Sequence, residues 1–299
     1  MEPLNRLDNV LDRFAVRAHQ IRLGPLCDRR RFDAGPGQGF LHILREGRLT
    51  VVDGEHGAPR VVSEPSVLFY PRALPHTFEV ERPDARVDLA CALLEFEGGE
   101  HHPLVRALPE VITVPIADVA GLDLSLALLH SEIDEFRCGR RHVIDRLFEI
   151  ALLKLLRWLL DHPHEVGLPP GLITGFSDLN IARALAGMHA DPGRAWSLEE
   201  LGGLASMSRS AFSARFRELV GETPHGYLTT WRLAVGRQLL REGRTISDVA
   251  AELGYTSSSF SRLFSSREGR SPRAWVQAHR GGGGAAARPG GASAAHPPR

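Results

Sequence analysis

Apolar positions along the chain change their spacing partway through. Between residues 15 and 100 they come in short runs: Phe40-Leu41-His42-Ile43-Leu44, Leu49-Thr50-Val51-Val52, Val67-Leu68-Phe69-Tyr70, Thr77-Phe78-Glu79-Val80 and Val87 to Leu94. Turn-forming residues separate them, at Asp33-Ala34-Gly35-Pro36-Gly37, Asp53-Gly54 and Arg82-Pro83-Asp84. Strands of this length and spacing predict a compact β-barrel or sandwich. After Pro115 the spacing becomes three and four: Leu122, Leu126, Leu129, Ile133 and Phe136, then Ile144, Leu147, Leu155 and Leu159 with Phe148 and Leu152 beside them. That period predicts two helices, parted at Arg137-Cys138-Gly139-Arg140. The second is apolar from Leu152 to Leu160 except at Lys154 and Arg157, so burial on more than one side is expected, with a stop at His162-Pro163.

From Ser177 to Arg280 the pattern is helical throughout. Ser197-Leu198-Glu199-Glu200 is a capping box and Thr245-Ile246-Ser247-Asp248 a weaker one. Ser208 can cap a helix beginning at Arg209, and Asp191-Pro192, Thr223-Pro224 and Ser271-Pro272 each set a capping residue before a proline. Two segments, Leu198–Phe216 and Ile246–Phe264, then repeat one plan about fifty residues apart. A short helix meets a tight turn, one apolar residue (Met207, Tyr255) plugs the angle, and a second helix carries Phe-x-x-x-Phe on its buried face. This is helix-turn-helix logic. An all-helical domain that binds protein is the competing reading.

The outward face of each second helix is what could enter a major groove. In the first pair it carries Arg209, Ser210, Ser213, Ala214 and Arg217; in the second, Ser257, Ser258, Ser259 and Arg262, with Ser261 alongside. Hydroxyls allow close approach but discriminate weakly between bases, while Arg209, Arg217, Arg262 and Arg215 suit phosphates or guanine edges. Charge agrees. The formal net charge is zero, yet residues 178–280 hold fourteen arginines against ten acids, whereas residues 1–177 hold twenty basic residues against twenty-six acids. A basic C-terminal part suits a polyanion.

No run approaches the length of a membrane span, and the first residues show no basic-then-apolar leader, so a cytoplasmic chain is expected. Cys27, Cys91 and Cys138 form no C-x-x-C pair.

Gly221-Glu222-Thr223-Pro224-His225-Gly226-Tyr227 through Trp231-Arg232-Leu233 resembles the helix joining the two motifs in AraC/XylS-family regulators. Gly254-Tyr255, Phe260-Ser261-Arg262-Leu263-Phe264 and Gly269 through Trp275 resemble that family's C-terminal signature. The resemblance covers residues 178–279. It implies seven helices, with the one near 224–241 fixing two readers about one DNA turn apart. The chain departs from the family in two places. One residue fewer lies between the Gly-aromatic turn and Phe260, and Glu268 stands where an apolar residue is usual. The second motif is therefore expected to contact mainly backbone.

Glu64 through His76 resembles the second motif of the cupin barrel, and Gly39 through Gly47 the strand-turn before it. With Cys91–Phe96 and Pro103–Pro109, residues 10–115 resemble the cupin-like sensor of one AraC subgroup. An enzymatic cupin would hold a metal through a His-x-His pair, a Glu and a later His; His42 and His76 leave that set incomplete, so no metal, cofactor or catalytic residue is expected. His42 and His76 are either hydrogen-bonded core histidines or, with Phe40, Tyr70 and Phe78, the lining of an effector pocket. Cys27 precedes Arg29, Arg30 and Arg31, whose charge would favour a thiolate, and some regulators of this subgroup sense oxidants through cysteines. Redox sensing through Cys27 and Cys91 is thus an alternative, and a metal-dependent cupin enzyme fused to a DNA-binding module another. His101-His102 and His162-x-His164 read as surface residues.

The resulting expectation is an α+β multidomain chain: a cupin-like β-barrel sensor (1–115), a helical dimerisation segment (116–165), a linker (166–177), an all-α double helix-turn-helix domain (178–280) and a disordered tail (281–299). It would regulate transcription as a homodimer on double-stranded DNA, sense a small-molecule effector, and touch RNA polymerase if an activator.

Overall fold

A computed structural model describes residues 6–80, 86–134 and 137–280, with side chains omitted at 133, 134 and 280. The Arg82-Pro83-Asp84 turn, the side chain of Ile133, Phe136 and the tail 281–299 lie outside the described residues. The chain forms two compact units, Met1–Ala234 and Val235–Arg299.

In the first unit a short helix α1 (Asp8–Leu11) precedes β1 (Val16–Pro25), β2 (Arg30–Phe32), β3 (Gln38–Glu46), β4 (Leu49–Asp53), β5 (Arg60–Val62), β6 (Ser66–Tyr70), β7 (His76–Glu79) and β8 (Asp88–Phe96). Then come α2 (Pro103–Ala107) and β9 (Ile112–Pro115). The strands make two antiparallel sheets, ordered β1-β8-β3-β6-β9 and β2-β7-β4-β5. Between them pack Phe32, Phe40, Leu44, Leu49, Val51, Leu68, Tyr70, Phe78 and Leu89, all buried. The five runs read from hydrophobic pattern are β3, β4, β6, β7 and β8. Four other strands carried too little apolar signal to be read.

β1 shows why. It is an edge strand with polar Arg17, His19, Gln20 and Arg22 along it. Its free edge is covered by α4 (Arg140–Asp161), which follows α3 (Leu122–Asp134). Asp145 Oδ1 accepts from the Gln20 amide at 2.7 Å and Glu149 Oε1 from the Ala18 amide at 3.2 Å, so carboxylates one helical turn apart satisfy the edge amides. An uncovered edge would invite pairing with another chain. As its pattern implied, α4 is buried on several sides, with Leu152, Leu155, Leu156, Trp158, Leu159 and Leu160 all inside. Apolar side chains nevertheless remain outside on both helices: Leu124 and Leu128 on α3 are 69% and 59% exposed, and Val143, Ile150 and Leu153 on α4 are also exposed.

The stretch 166–177, expected to be a linker, is instead structured. It contains α5 (Leu172–Ser177), whose Leu172, Ile173 and Phe176 are buried, and the Thr174 hydroxyl donates to the Leu219 carbonyl at 2.7 Å. Its glycine and proline content hid six ordered residues. Helices α6 (Leu179–Ala190), α7 (Leu198–Leu204), α8 (Arg209–Val220), α9 (Pro224–Arg241), α10 (Ile246–Glu252), α11 (Ser257–Glu268) and α12 (Pro272–Arg280) follow. Helix α9 begins in the first unit and ends in the second. Thr223 and Ser271 do stand before helices that open with proline, but Asp191 ends α6 and Pro192 starts none.

Candidate nucleic-acid interface

Each helix pair is built by the same local rules. In the first, Ser197 accepts from the Glu200 amide at 3.1 Å while Glu200 accepts from the Ser197 amide at 2.8 Å, closing the capping box before α7. The turn into α8 places Ser206 in the left-handed region (φ 55°), and Ser208 caps α8. In the second, Thr245 caps α10, Gly254 takes the left-handed turn position (φ 73°) and Thr256 caps α11. The Thr256 cap was not read from sequence, because three serines follow it and offer equally good candidates. Ser206 and Gly254 lie 48 positions apart, as do Met207 and Tyr255, Phe212 and Phe260, and Phe216 and Phe264. The four phenylalanines are fully buried, while Met207 and Tyr255 are half-buried in the angle.

With the phenylalanines inside, the opposite faces of α8 and α11 point to solvent. Arg209, Ser210, Ala214 and Arg217 are exposed and Ser213 half-exposed; Ser257, Ser258 and Arg262 are exposed and Ser259 half-exposed. Arg215 is differently placed. Its guanidinium pairs with Asp178, the cap of α6, at 3.0 Å and with Glu218 at 3.0 Å, so it braces α8 against α6 rather than reaching out. Two further arginines, whose roles the sequence did not suggest, are buried in the scaffold. Arg232 donates to the Pro192 carbonyl at 2.5 Å and the Arg194 carbonyl at 2.8 Å, binding α9 to the loop before α7. Arg237 donates to Glu268, which accounts for a carboxylate at a position expected to be apolar.

Inside the barrel Phe40, His42, Tyr70, His76 and Phe78 do come together, but as core: each is at most 2% exposed. The His76 and Tyr70 rings stack at 3.8 Å. Since a carbonyl can only accept, His76 Nδ1–H donates to Leu74 at 2.9 Å; the neutral ring's Nε2 then accepts from His42 Nε2–H at 2.8 Å. Burial pushes both histidines down, His76 to about 4, so both are neutral near pH 7. The Tyr70 hydroxyl donates to Asp53 at 2.6 Å, and Arg60 donates to the same carboxylate at 2.9 Å.

The cysteines occupy unlike surroundings. Cys27 is exposed, and two of the arginines that follow it are held by carboxylates, Arg29 by Glu79 at 3.1 Å and Arg31 by Asp33 at 2.9 Å. Cys91 is fully buried, and burial pushes its thiol up, away from the reactive form. His102 is not on the surface either. It is 0% exposed, donates from Nε2 to the Phe14 carbonyl at 3.1 Å, and accepts the Leu104 amide at Nδ1, capping α2.

Phe14 also sets its ring edge-on to Trp231 of α9 at 5.5 Å, and His189 of α6 stacks on the same Trp231 ring at 3.7 Å with its Nε2 2.6 Å from the Tyr227 hydroxyl. The segment leading into β1 thus packs on α9 within the same unit. Beside them lies a cavity of about 130 Å³ lined by Ala107 and Arg106 of α2, Leu172 of α5, and Glu222, Thr230 and Trp231 near or on α9.

Comparison with known proteins agrees with this architecture. A family profile described as Cupin matches residues 5–161, more than half of the chain, and one described as Helix-turn-helix domain matches residues 201–278. A putative AraC-like transcription regulator of Streptomyces lividans is 34% identical over 161 residues, spanning 52% of this chain and 52% of the relative, about half of its length. The HTH-type transcriptional regulator MtrA of Neisseria gonorrhoeae is 26% identical over 242 residues, 74% of this chain and 79% of that one. Among solved structures, the DNA-binding domain of AdpA in complex with a target DNA is 29% identical with a TM-score of 0.32, covering 33% of this chain and 92% of that chain. The chain belongs to the AraC-type transcription regulators that join an N-terminal cupin domain to a C-terminal helix-turn-helix domain.

Proposed function

We propose that the chain binds double-stranded DNA by laying α8 and α11 into major grooves and regulates transcription from there. The observation that carries this is the twice-built helix pair, with its phenylalanines buried and its serines and arginines outward. Arg209, Ser210, Ser213, Ala214 and Arg217 are the first contact set, and Ser257, Ser258, Ser259 and Arg262 the second. Arginines on phosphates make affinity salt-dependent, while the small hydroxyl residues give modest base discrimination. The chain works as a homodimer through the exposed apolar stripes of α3 and α4, where Leu124 and Leu128 lie one turn apart and Val143, Ile150 and Leu153 share a face. In this reading it acts in the cytoplasm and, where it activates, touches RNA polymerase.

The cupin domain senses a small molecule. Phe14 packs on Trp231 of α9, and α2 lines the adjoining cavity together with Val220, the last residue of α8, so a ligand that repacks the barrel or that cavity acts on the first helix pair without any flexible tether. Because Phe40, His42, Tyr70, His76 and Phe78 now fill the barrel, a ligand there must displace them. An oxidant-sensing alternative rests on Cys27, the exposed thiol of the pair; Cys27→Ser that leaves an oxidant response unchanged removes it.

Arg209→Ala and Ser213→Ala test the DNA reading. Each should weaken binding to a fluorescent operator duplex, and Arg209→Ala should also flatten the salt dependence by about one phosphate contact. Unchanged affinity for both variants at low and high salt would remove α8 from the interface.

A further inference from the structure

We infer that a buried ion pair, Arg237–Glu268, sets the orientation in which α11 meets DNA; this rests on the DNA-binding reading above. Both side chains are almost fully inside, at 6% and 7% exposure. Arg237 Nε donates to Glu268 Oε1 at 2.9 Å and one terminal nitrogen donates to the same oxygen. The other terminal nitrogen, Nη1, is buried without an acceptor among the described residues. A pair so incompletely satisfied is a poor stabilising device, since desolvating two charges offsets most of their attraction. Its geometry is informative.

The neighbouring residue, Gly236, brings the bare backbone of α9 against α11. A Cβ there would sit 3.1 Å from the Phe260 ring and 3.2 Å from Leu253, so a side chain would push the helices apart. Helix α11 is therefore held to α9 at Phe260, near its start, and at Glu268, its last residue. Eight residues of helix put these two points about 12 Å apart. Phe264 is also buried, edge-on to Trp275 of α12, so aromatic packing alone would leave the last turn of α11 free to shift. The contact at Glu268 removes that freedom, and with it fixes where Ser257, Ser258 and Arg262 point. Arg237 and Glu268 are positioning residues that act through α11 and touch no DNA.

The test uses the full chain on a duplex selected by the wild type, reading protection of the two half-sites separately. Arg237→Met with Glu268→Leu replaces the pair by apolar side chains. Its helical circular dichroism and melting should stay close to wild type, and the half-site read by α8 should stay protected. The half-site read by α11 should need about tenfold more protein, the cost of losing about one base pair's worth of contact. Reversing the pair, Arg237→Glu with Glu268→Arg, should recover most of that loss. If the apolar double variant does not fold, Glu268→Gln decides in the same assay, with weaker protection of the α11 half-site expected. Wild-type protection of that half-site by the apolar pair or by Glu268→Gln, or no recovery on reversal, overturns the inference. A wild-type chain that protects no duplex at all would instead remove the DNA-binding reading.

Discussion

Acid should unfold the first unit well before its carboxylates run short of charge. His76, His102 and His189 are buried, and burial is the largest cause holding them at about 4, about 4 and about 3, against 6.5 in an exposed chain. His42 moves the same way. Between pH 6.5 and pH 4 the unfolded chain therefore binds protons that the folded chain refuses, and stability falls as pH falls through that window. A pH of 5 lies about 1.5 units below the unfolded value of 6.5 and above the folded values, so each of the three loses about 2 kcal/mol by then, at 1.36 kcal/mol per unit. Together they approach about 6 kcal/mol, comparable to the whole stability of an ordinary domain. The contacts explain why no easy accommodation exists. Protonating His76 sets a new Nε2–H against the His42 Nε2–H that donates to it, and protonating His42 puts its new N–H at the buried Nδ1, which has no partner among the described residues. Urea unfolding of the full chain, followed by circular dichroism from pH 7.5 to pH 5, measures the loss. His189→Gln, whose amide can still meet the Tyr227 hydroxyl, should start less stable at pH 7.5 but lose about 2 kcal/mol less on acidification. An equal loss in variant and wild type would refute the assignment of the acid response to these buried rings.

Ser206 is the only non-glycine residue with positive φ among the described residues, and Gly254 holds the same turn position in the second pair. Ser206→Gly should therefore raise stability by about 0.5–1 kcal/mol, seen as a higher melting temperature; a lower one would show that the serine side chain earns its strained backbone. Asp145→Ala leaves the Gln20 amide without its acceptor and should cost about 1–3 kcal/mol, with hydrogen exchange at Gln20 accelerating first. Leu128→Glu places a charge on the exposed face of α3 and should shift sedimentation toward the monomer without changing the helical signal. A dimer that survives it unchanged would mean that another surface pairs the chains.

Sequence reasoning succeeded where a short-range rule dominates. The Phe-x-x-x-Phe spacing of 212/216 and 260/264, the caps at Ser197, Ser208 and Thr245, and the inward strands β3, β6 and β8 follow from local propensity and burial alone. It missed what long-range partners decide. The polar residues of β1 look unlike a strand until Asp145 and Glu149 of α4 supply acceptors for its edge amides. α5 is ordered by the packing of Leu172, Ile173 and Phe176, not by propensity in a stretch rich in glycine and proline. His102 looked like surface because its neighbour His101 is; only the fold brings the Phe14 carbonyl to it. Glu268 was legible as a departure but not as a partner, since Arg237 lies thirty-one residues away.

The central claim is that two outward helix faces, each set by a buried phenylalanine pair, read one stretch of duplex. Selection of the full chain on genomic or random DNA fragments, at physiological salt and against excess competitor, tests it directly. The account predicts enriched fragments carrying two short conserved elements about one helical turn apart, both protected by the chain. Enrichment of no sequence over competitor, by a chain that remains folded, would contradict it.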